Sequence, residues 1–392
     1  MLDALRVIFA KLLYARIVFF SLSWYKNRHK DFSVYIAVGL SGGIDSSMAA
    51  KQLCDQGHRV CGITFKLLYD HERWAGVQER MLTEAAQAAE NLGIEHRIYD
   101  FRGVFRQQVI RYFVDSYRIG ETPNPCYICN KRIKFGVFLS RALEDGFDAI
   151  ATGHYAKTIR NEDGRFLLAQ AADKDKDQSY FLALLDQRQL QHTLFPLADI
   201  TKAEVRRKAE MLGLVNARKA DSQDICFVPD GDYAAFIEAE APEAFRPGAF
   251  IDMQGNTVGV HRGLHHYTIG QRRGLALAFG YPVYVVEKCA VGNTVRVGAE
   301  ANLWVSACTV THMNWIIEPH DADSTLRLKT RYRQQPKKVH ITILDSYSVR
   351  AVFESPEKAV AKGQAAVFYQ GSLVLAGGII SEVCYEREQG AG

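Results

Sequence analysis

Residues 34–53 constrain the fold more than any other stretch of this 392-residue chain. Val34-Tyr35-Ile36-Ala37-Val38 is a short β-branched and aromatic run, suited to a strand buried on both faces. Gly39-Leu40-Ser41-Gly42-Gly43-Ile44-Asp45-Ser46-Ser47 follows, and then Met48–Leu53, which is helix-forming by composition. Two glycines at such a turn let backbone N–H groups converge on an anion at the positive end of a helix dipole. Ser41, Ser46 and Ser47 add hydroxyl donors. No Lys follows the glycines, so this is not the Walker-type phosphate loop. The plainer alternative is a strand-to-helix turn in which Asp45 or Ser46 is only an N-cap. Two adjacent glycines, three serines and an acid are more than a turn requires.

The same alternation continues to about Arg160. Strands are expected at Val60–Phe65, Glu95–Tyr99 and Phe147–Thr152, and helices over Arg80–Leu92, Val104–Tyr117 and Ile133–Asp145. This pattern predicts an α/β fold with a doubly wound parallel sheet and ligand at the strand carboxyl ends. The first loop, Thr64–Lys66 and Thr152–His154 would then open on one edge. Lys202–Leu212 reads as a basic amphipathic helix, Ala220–Gly231 as a loop, and Asp232–Glu240 as helix. Beyond Pro247 the texture changes to short strands with Gly, Asn and Pro turns, which predicts a β-barrel at the C-terminus. The expected organisation is an N-terminal extension over 1–30, a catalytic domain over 31–231, a small central domain over 232–295 and a β-barrel domain over 296–392.

Net charge is +4, yet the first 30 residues hold six Lys/Arg against one Asp, so the other 362 sum to −1. A nucleic-acid surface must therefore be a local patch. Ile17–Tyr25, the longest uncharged run near the N-terminus, has nine residues, well short of the roughly 20 that span a bilayer. No stable membrane association is expected. Eight irregularly spaced cysteines beside a nucleotide loop fit a reducing compartment, and the expected location is a bacterial cytoplasm.

Four stretches carry chemistry. Thr122-Pro123-Asn124-Pro125-Cys126-Tyr127-Ile128-Cys129-Asn130 fixes its backbone with two prolines and then offers a Cys-x-x-Cys pair. A zinc site would want a second Cys/His pair at matching spacing, and none exists. A thioredoxin-like motif fits the spacing but not the preceding Pro-Asn-Pro. A substrate-facing thiol pair in a rigid loop and plain buried cysteines remain. Asp221–Pro229 places Cys226 in a polar loop; beside Cys129 it suggests two thiols meeting, one carrying sulfur and one resolving it. Asp173–Tyr180 alternates charge ahead of an apolar helix. Arg327-Leu328-Lys329-Thr330-Arg331-Tyr332-Arg333, read as a strand, puts four cations on one face, with Lys337 and Lys338 following and no acid in the run. That pattern favours a phosphate-contacting surface with Tyr332 as a stacking partner. His261–His266 and Gln271-Arg272-Arg273 look like a second cationic, glycine-rich loop.

Ser41–Ser46 resembles the pyrophosphate loop of ATP-pyrophosphatases. With Gly39–Ser46, Thr122–Phe135, Ala151–Tyr155, Lys176–Leu182, Ser222–Pro229, Thr268–Leu275 and Gly363–Tyr369 in order, the chain resembles the tRNA-specific 2-thiouridylases over about residues 33–385. The resemblance implies ATP-dependent replacement of the C2 oxygen of the anticodon wobble uridine by sulfur. It implies that Gly39, Leu40, Ser41, Gly42, Gly43, Ile44, Asp45 and Ser46 hold ATP with Mg2+, and that Phe65 and Gly153 line the adenine end. Phe65 stands where the family commonly has Met. Cys226 matches the persulfide-bearing cysteine and Cys129 its partner. Asn124, Pro125 and Cys126 face the target base, and the family has Asp or Cys at the last position. His154, Lys176, Asp177, Gln178, Arg331, Tyr332 and Gln364 match tRNA-contacting positions. Implied partners are tRNA and a persulfide sulfur donor, a sulfur-relay or cysteine desulfurase-type protein. The alternatives are another pyrophosphate-loop enzyme adenylating a small molecule, and a non-catalytic tRNA-binding or sulfur-carrier protein.

Overall fold

A computed structural model describes residues 33–69, 76–214, 225–228, 230–318 and 326–386. The expectation for residues 1–30 lies outside the described residues, as does much of that for 220–231. The chain divides into two compact units, one of residues 1–103, 130–221 and 372–374, the other of 104–129, 222–371 and 375–392.

The first unit is built on five parallel strands: β1 (Tyr35–Gly39), β2 (Arg59–Lys66), β3 (Glu95–Asp100), β4 (Ala149–Ala151) and, after an antiparallel hairpin of β5 (Ala156–Arg160) and β6 (Phe166–Gln170), β7 (Thr193–Leu194). Their order is β3-β2-β1-β4-β7, with every neighbour parallel. The doubly wound reading is correct. β1 sits at the centre because Ile36, Ala37 and Val38 are wholly buried, as its continuous apolar run requires. Helix Ile44–Asp55 packs Ala50 and Leu53 against β1 and turns Ile44, Met48 and Ala49 to Leu197, Val205 and Ala209. Helix Val77–Leu92 buries Ala85, Ala88 and Ala89 around Leu40. Residues 372–374 return to this unit, where Leu373 and Val374 pair with Ala169 and Leu168.

The second unit contains helix Arg111–Arg118, helix Pro125–Cys129 and helix Tyr233–Glu240. A small sheet follows, of β8 (Gly248–Ile251), β9 (Thr257–His261), β10 (Tyr284–Cys289) and β11 (Thr294–Gly298) in the order β10-β11-β8-β9. Then six strands close on themselves: β12 (Trp304–Trp315), β13 (Leu326–Lys329), β14 (Lys337–Asp345), β15 (Ser348–Lys358), β16 (Ala365–Gln370) and β17 (Leu373–Tyr385). The order is β12-β15-β14-β13-β16-β17, and β17 pairs back to β12, so no strand edge is left open. Val305, Val310, Leu328, Val349 and Phe368 fill the barrel. Among the described residues no helix is long and apolar enough to cross a membrane.

Candidate active site

In the first unit the glycine turn is knitted to itself. The Ser41 N–H donates to Ser46 Oγ at 3.2 Å, Gly43 N–H to Ser41 Oγ at 3.4 Å, and the Ser46 and Ser47 hydroxyls both donate to the Gly43 carbonyl. Gly43 is the N-cap of helix Ile44–Asp55, and no side chain caps the helix. The first helical N–H groups thus have no acceptor within the helix, the condition that favours an anion there. The N-cap role considered for Asp45 and Ser46 is excluded. Asp45 is committed elsewhere: its carboxylate pairs with Lys202 Nζ at 2.6 Å and accepts from the Tyr155 hydroxyl at 2.8 Å. Lys202 is 6% exposed, so this is a buried cation that fixes the loop from helix Lys202–Met211. The sequence offered Lys202 only as one of several cations on a basic helix.

Gly39, Phe65 and Gly153 do gather at this turn. A Cβ on Gly39 would stand 3.7 Å from Phe65 Cζ and from Thr152 Cγ2, and one on Gly153 would stand 2.7 Å from the Asp45 and Ser46 backbone. Leu40 and Ile44 bury their side chains in the core, so only their backbone is available to a ligand. A cavity of about 550 Å³ opens beside the first helix, lined by Ser47, Glu79, Arg80, Glu84 and Leu214. Of the predicted ATP residues only Ile44 borders it.

In the second unit Asn124 opens helix Pro125–Cys129 by accepting the Tyr127 N–H on Oδ1 at 3.2 Å, with Pro125 as first helical residue. Cys126 is exposed and Cys129 is buried. The loop before them is clamped from the barrel side: Gln364 Nε2 donates to the Thr122 carbonyl at 2.8 Å, and the Thr122 N–H donates to the Lys362 carbonyl at 2.9 Å. Cys226 is exposed on a turn closed by the Val228 N–H to Ile225 carbonyl bond, and its neighbours Phe227 and Val228 are 2% and 1% exposed. Phe227 packs on Phe105, Phe113 and Phe236. Phe113 also meets Tyr117, on the same helix just ahead of the Thr122 loop.

Several of the residues expected to contact tRNA are hydrogen-bonded within the protein. Asp177 is buried, its carboxylate accepting the Ala171 N–H and the Ser179 hydroxyl, and Gln178 accepts the Tyr155 N–H at 3.0 Å. Both shape the turn that leads from Lys176. His154 shares a 2.8 Å hydrogen bond with Thr152, and burial beside Lys134 holds its imidazole neutral, its pKa well below the ordinary value. The basic strand is corrected too. β13 ends at Lys329, which is buried and lies over the Tyr332 ring, while Arg331 and Tyr332 fall in the following turn. Arg331 donates to the carbonyls of Lys358 and Ala359. The acids missing from the sequence run come from β15, where Glu357 and Glu354 approach Lys337 and Lys338. In the second cationic loop His261 and His265 are buried, and burial lowers both pKa values. Arg262, Arg272 and Arg273 are its exposed cations.

Lys288, on β10, escaped the sequence altogether. Its ammonium donates to the Glu121 carbonyl at 3.0 Å and to Thr122 Oγ1 at 3.3 Å, above the Tyr117 ring. Burial drives its pKa down to about 7 against the pull of Glu121. The folded state therefore binds fewer protons than the unfolded state between that value and the ordinary lysine range, and stability rises with pH across the interval. Lys288→Met should flatten this dependence. The wild type should gain up to about 1.4 kcal/mol per pH unit more than the variant above pH 7. Urea unfolding from pH 6.5 to 9.5 reads it, and parallel curves would refute the assignment.

Three families match in order: a tRNA methyl transferase HUP domain over residues 34–230, a tRNA methyl transferase PRC-barrel domain over 234–299 and an aminomethyltransferase beta-barrel domain over 305–380. The tRNA-specific 2-thiouridylase MnmA of Treponema denticola is 52% identical, covering 89% of this chain and 98% of that protein. The same-named protein of Acetivibrio thermocellus is 42% identical over 88% and 98%. Among solved structures, the U34-tRNA thiolase NcsA from Methanococcus maripaludis is 22% identical over 54% of this chain and 67% of that one, with a TM-score of 0.31, too low to carry an argument. With identity of this level spread along nearly its full described length, the chain belongs to the tRNA-specific 2-thiouridylase (MnmA) family.

Proposed function

We propose that the protein carries out ATP-dependent 2-thiolation of the wobble uridine in tRNA anticodons, with sulfur delivered from a persulfide on Cys226. The observation that carries this reading is the setting of Cys226: an exposed thiol whose two following residues are buried, so that it is open to a donor protein yet held in place. The glycine turn, uncapped at its helix, fits a polyphosphate. Magnesium, when bound with the triphosphate, offsets developing charge, and Asp45, engaged by Lys202 and Tyr155, would act on it indirectly.

The chemistry explains the residue types. The uridine C2 oxygen attacks the α-phosphorus of ATP, expels pyrophosphate and becomes an adenylate that can depart as AMP. The Cys129 thiolate attacks Cys226 Sγ, the inner sulfur of the persulfide, forming a Cys129–Cys226 disulfide and releasing the outer sulfur as hydrosulfide. Hydrosulfide adds at C2, AMP leaves, and an external thiol reductant reopens the disulfide. The base must leave the anticodon stack for C2 to be reached, and Asn124, Pro125 and Cys126 receive it on a loop held by Gln364 and Lys288. Lys176, Arg331 and Tyr332 bind the RNA, while His154 contributes as a neutral donor or stacking ring.

The test is thiolation of unmodified tRNA with ATP, Mg2+ and a persulfide donor, read by retardation on an organomercury gel. Retarded tRNA that depends on ATP is the expected result. Absent retardation, with pyrophosphate released when RNA is omitted, would instead assign a small-molecule adenylating enzyme.

A further inference from the structure

Outside the site just described, two imidazoles and a carboxylate converge in the second unit. His265 and His266 are adjacent on the turn Leu264–His266, and Glu238 lies on helix Tyr233–Glu240. Each histidine places Nε2 3.0 Å from the same oxygen, Glu238 Oε1. The three ligating atoms lie within 4.8 Å of one another, a trio without equal among the described residues. The two rings lie side by side, centroids 4.1 Å apart. Gly263 permits this arrangement: at φ 142° it lets the turn fold back, and a Cβ there would run into the His265 ring at 2.6 Å.

The bland account is a carboxylate accepting two N–H donors. Two details go beyond it. His265 is 1% exposed and its Nδ1 has no hydrogen-bond partner, so a buried ring is turned to make Nε2, at the shared point, its only polar engagement. The spacing also suits an ion, since ligands about 2.0–2.1 Å from a tetrahedral metal stand about 3.3 Å from one another. The two 3.0 Å separations between an imidazole Nε2 and Glu238 Oε1 would open by a few tenths of an ångström to admit it.

We propose that Glu238, His265 and His266 form a divalent transition-metal site, of the two-imidazole, one-carboxylate class that suits Zn2+, with its remaining position open to solvent beside the exposed Glu238. The ion clips helix Tyr233–Glu240 to the turn of the small sheet. That helix carries Phe236, packed on Phe227 next to Cys226, and Tyr233, stacked on Tyr117. The site thus braces the support of the exposed cysteine, although its existence does not depend on the proposed reaction.

The experiment takes the full chain, stripped with a chelator and titrated with Zn2+ against a chromophoric competitor, with Co2+ as a spectroscopic probe. Glu238→Gln and His266→Ala are compared with a Cys126/Cys129/Cys226→Ser triple variant. The expected result is a single ion bound by wild type and by the triple variant, weakened by more than about tenfold in each ligand variant. The cobalt spectrum should show ligand-field bands without thiolate charge transfer. Zn2+ should raise the melting temperature of wild type and not of Glu238→Gln, an exposed position where the change is conservative. Unchanged affinity in both ligand variants, loss of the ion in the triple variant, or no retention against the competitor would each overturn the site.

Discussion

Cys226→Ser is expected to abolish thiolation while leaving tRNA binding and tRNA-dependent pyrophosphate release near wild-type levels. The separation follows from where the residue sits. Its side chain is exposed, and the turn is held by Phe227 and Val228, which the substitution does not touch. Oxygen for sulfur is a near-isosteric change at an exposed position, so the fold and the aromatic cluster beneath should persist. Serine cannot carry a persulfide, so the step that loads sulfur is lost outright rather than slowed. In the proposed reaction adenylation uses the glycine turn of the first unit and needs no thiol. Three readouts decide: organomercury gel retardation, gel shift of unmodified tRNA, and pyrophosphate release. Retained thiolation would remove Cys226 from the sulfur path. Loss of all three together would make it a structural residue.

Much of the fold could be read from residue order because its signals are local. The β1 run joins β-branched Ile36 and Val38 to Tyr35 and Ala37 without a charge, so a buried central strand was its only economical use, and glycines mark both ends of helix Val77–Leu92. Strand β12 was not legible. Its sequence mixes Ser, Thr, His and Asn with apolar residues, and its burial is set by two neighbours, β15 and β17, far along the chain. The candidate site shows the same division. The glycine turn and the cysteine segments announce themselves by composition. What holds them does not: Lys202 reaches Asp45 across 157 positions, and Lys288 reaches Glu121 across 167. A lysine in a sequence reads as a surface charge, and only tertiary packing turns it into a buried brace. The basic stretch from Arg327 failed for the converse reason. Alternation was extended past Lys329, where a turn begins, and the acids that face Lys337 and Lys338 belong to another strand.

Gly153→Ala should cut ATP-dependent pyrophosphate release by about a hundredfold, although the change adds one methyl group. Gly153 follows β4 and crosses directly under the start of helix Ile44–Asp55. Its new Cβ would lie 2.7 Å from the Asp45 carbonyl carbon and the Ser46 nitrogen, and 2.9 Å from the Asp45 oxygen. These are backbone atoms, so no side chain can swing aside; either β4 or the helix start must move by several tenths of an ångström. The helix start is pinned by Lys202 and Tyr155 through Asp45, so the displacement falls on the N–H groups and hydroxyls that would face the phosphates. Overpacking of this kind costs about 1–3 kcal/mol, enough to lower the melting temperature without unfolding the chain. Gly103→Ala is the control, since a Cβ there meets nothing closer than the Tyr69 hydroxyl at 3.8 Å. Binding of tRNA should survive in both variants, because the cations proposed to grip it lie mostly on other elements. Unchanged pyrophosphate release in Gly153→Ala would mean that the turn tolerates displacement, which a set of fixed donors around a polyphosphate could not.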